Sequence, residues 1–414
     1  MSPAPSLTFR AAGWLAFASA AAIVFSIAAS QILLGASLAA LLLSRQRLRL
    51  PPVKWPLAVF LLGTLLAWLA SGHLGAGMPQ IKKIYVFAEL LVVFTCLRDA
   101  KWIRRLFLVW AGFAGLTALW GCVQFAGKIH EARALGVSVS GFYNFYVAER
   151  IRGFTSHWNT FSAEEMFALI MLASFLLFAR APRSWIWLKV ACGLLIALAV
   201  LLAETRGVWA ATAAAGLYLL WVWKRKVALV APVLVAAAII ASPAPIRERF
   251  RSIVQPKQVD SNQFRIVVWR TGVLMIEAHP WLGLGPEQPH AQFQQWVPRD
   301  IPRPLPDGYY GHLHNVYLEY AAERGIPTAL VMLWLLIQIA VNFRRGLRTL
   351  PPGRDDRRFL LHGGIAVVLA VLAEGFVEYN LGDSEVLTMF LVVIACGYLA
   401  LEKDVAWETY SGRL

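Results

Sequence analysis

Apolar runs of helical length recur along almost the whole chain, separated by short polar joints, and this pattern leaves few folds open. A helix needs roughly 20 mostly apolar residues to cross the hydrocarbon core of a bilayer, and in lipid its backbone groups must be satisfied within the fold itself. The runs lack the short alternating period of barrel strands. Twelve are read, at 11–28, 29–44, 55–71, 83–97, 102–126, 160–179, 185–203, 206–223, 226–242, 326–343, 359–379 and 385–401. With 58% hydrophobic and only 15% charged residues, the 414-residue chain is too apolar for a soluble domain. The expectation is an all-α integral membrane protein of about twelve transmembrane helices, a single polytopic domain over 1–414. The first run lacks a small-residue cleavage site after a brief apolar core, so it is read as a retained helix. All four cysteines fall inside predicted spans as small hydrophobes, which implies no disulfide framework.

Charge sets the expected orientation. Every second joint is basic: RQRLRL at 45–50, RDAKWIRR at 98–105, RAPR at 180–183, WKRK at 223–226 and RRGLRTLPPGRDDRR at 344–358. Such joints stay cytoplasmic, and both termini fall on their side. The net charge of +15 is thus mostly topology. It implies no nucleic-acid partner, because no basic, aromatic-studded module stands apart from the membrane ends. A multi-pass protein of a bacterial inner membrane is the simplest reading.

Two joints on the other, periplasmic side are long: 127–159 and 243–312. Long loops in compact proteins are usually functional or disordered. Within the second, FRIVVWRTGVLMIEA reads as an amphipathic helix whose apolar face, with Trp269, rests on the membrane. Polar residues beside these loops are candidate site residues. Arg206 opens the eighth span from the short joint AETRG. Arg265 and Arg270 lie on the loop helix, about 140° apart around it. His314 and Asn315 precede the tenth span, in which Pro327 starts or kinks the embedded part. Arg150, Arg152, His157 and Asn159 precede the sixth, where Glu164 and Glu165 read as first-turn charges of a capped helix. Each also has an ordinary structural reading, as a snorkelling anchor, a headgroup contact or a cap.

Arginines grouped with a histidine suit transfer from a lipid diphosphate. Guanidinium forks match phosphate oxygens and stay charged, and an imidazole can take the proton of an incoming hydroxyl. Asp260, Asp300 and Asp307 stand apart rather than in a metal-holding pair, so no metal and no cofactor are expected. A permease binding an anionic solute is the rival of another class, although the candidates cluster at one membrane face and no internal repeat is evident.

HNVYLEYAAERGIPT, from His314 to Thr328, resembles the motif of the O-antigen ligases: His, then Asn, Ser or Gln, nine residues, Gly, two residues, and Gly, Thr or Tyr. RGFTSHWNTFS, ETRGVWAA and FRIVVWRTGVLMIEAHPWLGLGPE agree with the family in order and position. The resemblance implies a GT-C-like bundle with a large helical periplasmic loop. It also implies metal-independent, inverting transfer of a glycan from undecaprenyl diphosphate to lipid A-core on the periplasmic side, in lipopolysaccharide biosynthesis. His314 corresponds to the proposed general base, and Arg206 and Arg265 to the arginines proposed to hold the donor diphosphate. Arg152, His157, Asn159, Arg270 and Asn315 are accessory candidates by proximity to the motifs. O-antigen polymerases and protein O-oligosaccharyltransferases share the donor and stay open as alternatives.

Overall fold

The computed structural model describes residues 6–138, 141–180, 184–242, 247, 262–306, 308–403, 405 and 407. Asp260, Asp307 and most of the stretch 243–261 lie outside the described residues. The chain is all-helical, and each of the twelve predicted spans coincides with a helix. In order these are α1 (Leu7–Ala22), α2 (Ile27–Leu43), α3 (Lys54–Ala70), a short α4 (Leu74–Lys82), a 3-10 turn (Lys83–Phe87) running into α5 (Ala88–Cys96), and α6 (Ala100–Ala134). After α7 (Phe142–Ala148) come α8 (Trp158–Phe178), α9 (Ile186–Leu202), α10 (Arg206–Trp223) and α11 (Arg225–Ala241). The large loop carries α12 (Asn262–Ala278) and two single turns, α13 (Gln288–Ala291) and α14 (Phe293–Trp296). The chain then forms α15 (Val316–Thr349), α16 (Asp356–Glu374), a short 3-10 turn (Asn380–Gly382) and α17 (Ser384–Leu399).

Local chemistry starts many of these helices: the side chains of Ser6, Ser26, Asp99, His157, Asn315 and Asp355 each accept a first-turn N–H, which satisfies a donor that the helix leaves orphaned. Three helices, α6, α8 and α15, are long and apolar enough to cross a membrane, and α2, α3, α9 and α17 are shorter apolar helices. Leucines and valines of α3 and α11 (Leu62, Leu66, Leu69, Leu229, Val233, Leu234) lie bare on the surface. In water so much exposed apolar area would be a liability, whereas lipid is its natural solvent. The chain is a membrane protein.

α8, α16 and α17 form the centre. They are buried on nearly every side, as helices apolar all round must be. α16 packs on α8, α10 and α15, and α3 lies along α15. Small residues set the spacing: a Cβ at Gly364 or Gly397 would stand 2.5 or 2.3 Å from the Phe343 ring.

Four features differ from expectation. The tenth span begins at Val316, not 326, and breaks within at Gly325, two residues before Pro327. α6 runs on to Ala134 because Lys128 and Glu131, one turn apart and 3.0 Å from each other, continue it past the apolar run. The apolar face of α12 does not rest on the membrane: Phe264, Val267, Val268 and Met275 pack on Leu284, Phe293, Val297, Leu313 and Ala322, which covers them with protein. Glu164 and Glu165 are interior groups beyond the first turn of α8, and Glu165 accepts the Thr117 hydroxyl.

Candidate functional site

The site is assembled where α8, α10 and α15 begin and α16 ends, at the end of the bundle opposite the basic joints. Asn315 fixes its geometry. Its Oδ1 accepts the Tyr317 and Leu318 amides, both at 3.0 Å, and its Nδ2 donates to the Phe376 carbonyl at 3.1 Å. The Val316 amide donates to the Gly375 carbonyl at 2.8 Å. The start of α15 is thereby stitched to the end of α16, so Asn315 is a cap and a clasp.

That stitch brings His314 to Glu378. Nδ1 lies 3.2 and 3.4 Å from the two carboxylate oxygens, while Nε2 lies 3.0 Å from the Tyr309 carbonyl. The backbone of His314 is left-handed, at φ 47°, as it leaves the loop for the helix. The Phe264 ring of α12 meets the imidazole edge-on, with centroids 5.0 Å apart. His312 lies beside it, ring centroid to ring centroid 4.0 Å, and its Nδ1 accepts the His314 amide at 3.2 Å. Burial pulls His312 down to about 4, with Glu378 opposing, so it is neutral at pH 7. Burial raises the Glu378 carboxyl, but the His314 hydrogen bond and the nearby His314, His312 and Arg265 charges outweigh it and bring the group down to about 2. Glu378 is a carboxylate throughout the physiological range.

The arginines converge on the same place. Burial lowers the pKa of Arg150, and among its neighbours Arg206 and Arg265 lower it further while Glu204 raises it. These guanidiniums therefore share one electrostatic neighbourhood. Arg150 stacks over Trp158 at 5.1 Å and donates to the Glu204 carbonyl at 3.4 Å. Burial lifts the Glu204 carboxyl to about 7 against the pull of Arg150. Gly207 lets α10 close on the α16 end: a Cβ there would stand 2.7 Å from Val377. His157 caps α8, its Nδ1 accepting the Asn159 amide at 3.2 Å, and it feels Glu378, Arg150 and His314. For Asn159, the contacts shown are backbone ones.

Two accessory candidates sit elsewhere. Arg270 faces away from Arg265 and holds Asp300 at 2.9 and 3.0 Å on the exposed surface. Arg152 is exposed, its amide bonded to Gln124 and its charge felt by Glu149. Glu319 binds the Leu313 amide at 2.6 Å and so holds the loop rather than an arginine or histidine. The sequence reading passed over Arg150 and treated Glu378 only as an acid near a span end. Position beside RIRG and in EGFVEYN hinted at both, but only the folded bundle pairs them with His314 and the other arginines.

The loop motif and the helix motif interlock. Leu284 and Gly285 donate to the carbonyls of Ala322 and Glu323 at 2.8 and 2.9 Å, and Ile326 donates to that of Pro280 at 2.8 Å. Gly325, at φ 80° and ψ 160°, adopts a conformation that is essentially glycine's alone.

Among the described residues, His312, His314 and Glu378 bring ligand atoms within 4.8 Å of one another, the spacing that a metal ion needs. Their hydrogen bonds fit the ion poorly. The His314 amide occupies Nδ1 of His312, so the neutral ring carries its proton on Nε2, the nitrogen that faces Glu378 at 3.7 Å. Ligation there would require the tautomer to switch against an N–H donor.

Residues 191–333 match the family model described as O-Antigen ligase, a segment that holds Arg206, Arg265, His314 and Gly325. No curated protein matches the chain. The chain thus carries, across residues 191–333, the domain of the O-antigen ligase family, a class of membrane enzymes of glycosyltransferase type.

Proposed function

We propose that this protein is an O-antigen ligase of the bacterial inner membrane, a GT-C-like bundle with twelve crossings and both termini cytoplasmic. It transfers a glycan from undecaprenyl diphosphate to lipid A-core at the periplasmic face, with inversion and without a metal. The observation that carries this reading is the meeting of the His314–Glu378 pair with Arg150, Arg206 and Arg265 at one end of the bundle.

Each part has a chemical task. The arginine forks hold the donor phosphates and stabilise the charge that develops on the departing diphosphate. A neutral imidazole has one N–H; with that proton on Nδ1 toward Glu378, the Nε2 lone pair and the Tyr309 carbonyl face each other as two acceptors. An acceptor hydroxyl that displaces the carbonyl donates to Nε2 as its oxygen attacks the anomeric carbon. The C–O bond to the diphosphate breaks, the electron pair leaves with the phosphate oxygen, and the proton stays on the imidazole, where Glu378 balances its charge.

Arg265→Ala is expected to reduce transfer by roughly a hundredfold, since it removes a donor aimed at the developing charge. Arg270→Ala should stay within about twofold of wild type, because exposed ion pairs contribute little. Initial rates of the two variants, measured side by side, check this; equal losses would remove Arg265 from the donor site.

The function itself is tested by in-vitro transfer. Purified protein in lipid is given undecaprenyl diphosphate-linked glycan and lipid A-core, with a chelator present, and products are resolved on a gel. A shifted lipid A-core band is expected. A lengthened lipid-linked glycan instead would make the enzyme a polymerase, and neither product would return the reading to a protein acceptor or a permease.

A further inference from the structure

At the basic end of the bundle, where the amino end of α1 meets the end of α5 and the start of α6, lies a cavity of about 310 Å3. Its polar rim includes Arg10 and Arg98, and its walls include Phe9, Trp14, Leu97 and Trp102. Gly13 keeps the α1 wall open, with the Cys96 carbonyl 3.8 Å from where its Cβ would stand. Arg98 is anchored through Nε to the Thr95 carbonyl at 3.1 Å, which holds its guanidinium over the end of α5. Trp14 and Trp102 meet edge to face at 4.1 Å, and Arg105 lies over the Trp102 ring at 5.8 Å. The acid at the rim, Asp99, caps α6 by accepting the Lys101 amide at 2.7 Å. The charge around the opening is therefore net positive, and the amino end of α1 adds its partial positive charge.

This pairing of a basic rim with an indole-lined, apolar interior belongs at a membrane–water interface, where tryptophans sit at headgroup level and basic side chains meet lipid phosphates. We infer that the cavity binds an anionic phospholipid of the adjacent leaflet. The headgroup phosphate sits between Arg10 and Arg98, and the glycerol and first methylenes lie against Phe9, Leu97 and the indoles. Net-negative headgroups are selected over zwitterionic ones because the guanidiniums repel a choline or ethanolamine cation. The site lies at the start of α6, and the far end of that helix leads toward Arg150 and His157, so it is separate from the transfer site and independent of its chemistry.

Native mass spectrometry tests this on the intact protein released from nanodiscs of mixed phosphatidylglycerol and phosphatidylcholine. The wild type should retain phosphatidylglycerol selectively. Arg10→Gln with Arg98→Gln should weaken that retention by about thirtyfold, the effect of two basic residues at a membrane surface, and Arg225→Gln, elsewhere on the basic side, should leave it unchanged. Arg10→Lys with Arg98→Lys keeps the charge and should keep most of the lipid, which guards against a folding defect in the glutamine variant. Undiminished retention in the glutamine variant would overturn the site. Release of the wild-type lipid by millimolar inorganic phosphate would overturn the lipid and assign the cavity to free phosphate.

Discussion

His314→Ala is expected to lose transfer by at least about a hundredfold while expression, insertion and melting temperature stay near wild type. A general base in place contributes roughly 100- to 10,000-fold, and a buried imidazole at the edge of the bundle contributes little to packing. Initial rates at saturating donor and acceptor measure it; an alanine variant as active as wild type would end the general-base role. Glu378→Gln separates positioning from chemistry. The amide can still accept from Nδ1, but it does not stabilise a charged ring, so kcat should fall by about tenfold with both KM values unchanged. A change in KM alone would instead assign Glu378 to substrate binding.

Gly325→Ala is expected to destabilise the protein by about 3 kcal/mol or more, and with it to abolish the site. A Cβ at this position would stand 2.1 Å from the Trp281 carbonyl oxygen and 2.3 Å from its carbon. Both are backbone atoms that cannot rotate away, and the φ/ψ pair is closed to L side chains in any case. Gly283 faces the same contact from the other strand of chain: at φ 65°, its added Cβ would meet the Glu323 carbonyl carbon at 2.4 Å. The two alanine substitutions should therefore be less than additive, since either one opens the same seam. Gly353→Ala is the control, with a positive φ but no heavy atom within 4 Å, and should lose only about 1 kcal/mol. Thermal unfolding followed by size-exclusion fluorescence ranks the variants. If Gly325→Ala unfolds like Gly353→Ala, the steric account of the motif glycine fails.

This explains what the motif HNVYLEYAAERGIPT is physically. Its asparagine caps α15 and ties it to the end of α16, its glycine admits the Pro280–Leu284 turn, and its histidine is left at the junction facing Glu378. None of these partners is local in sequence. His314 and Glu378 are 64 residues apart, and Arg150, Arg206 and Arg265 come from three separate segments.

The linear sequence determined the twelve apolar helices, because hydropathy over some twenty residues is a local property and lipid accepts few alternatives to a helix. It also determined where they start, through caps such as Asp99 and Asn315 that act on their own first turn. Tertiary structure alone decided the rest. Bundle packing placed Arg150 rather than Arg152 beside Arg206 and Arg265, turned Arg270 to Asp300, and folded the α12 face onto protein instead of lipid. The physical reason is that a charged residue near a membrane end looks the same in sequence whether it anchors, caps or reacts. Its role is set by which buried groups the helices bring within hydrogen-bond reach, and that distance exists only once they have packed.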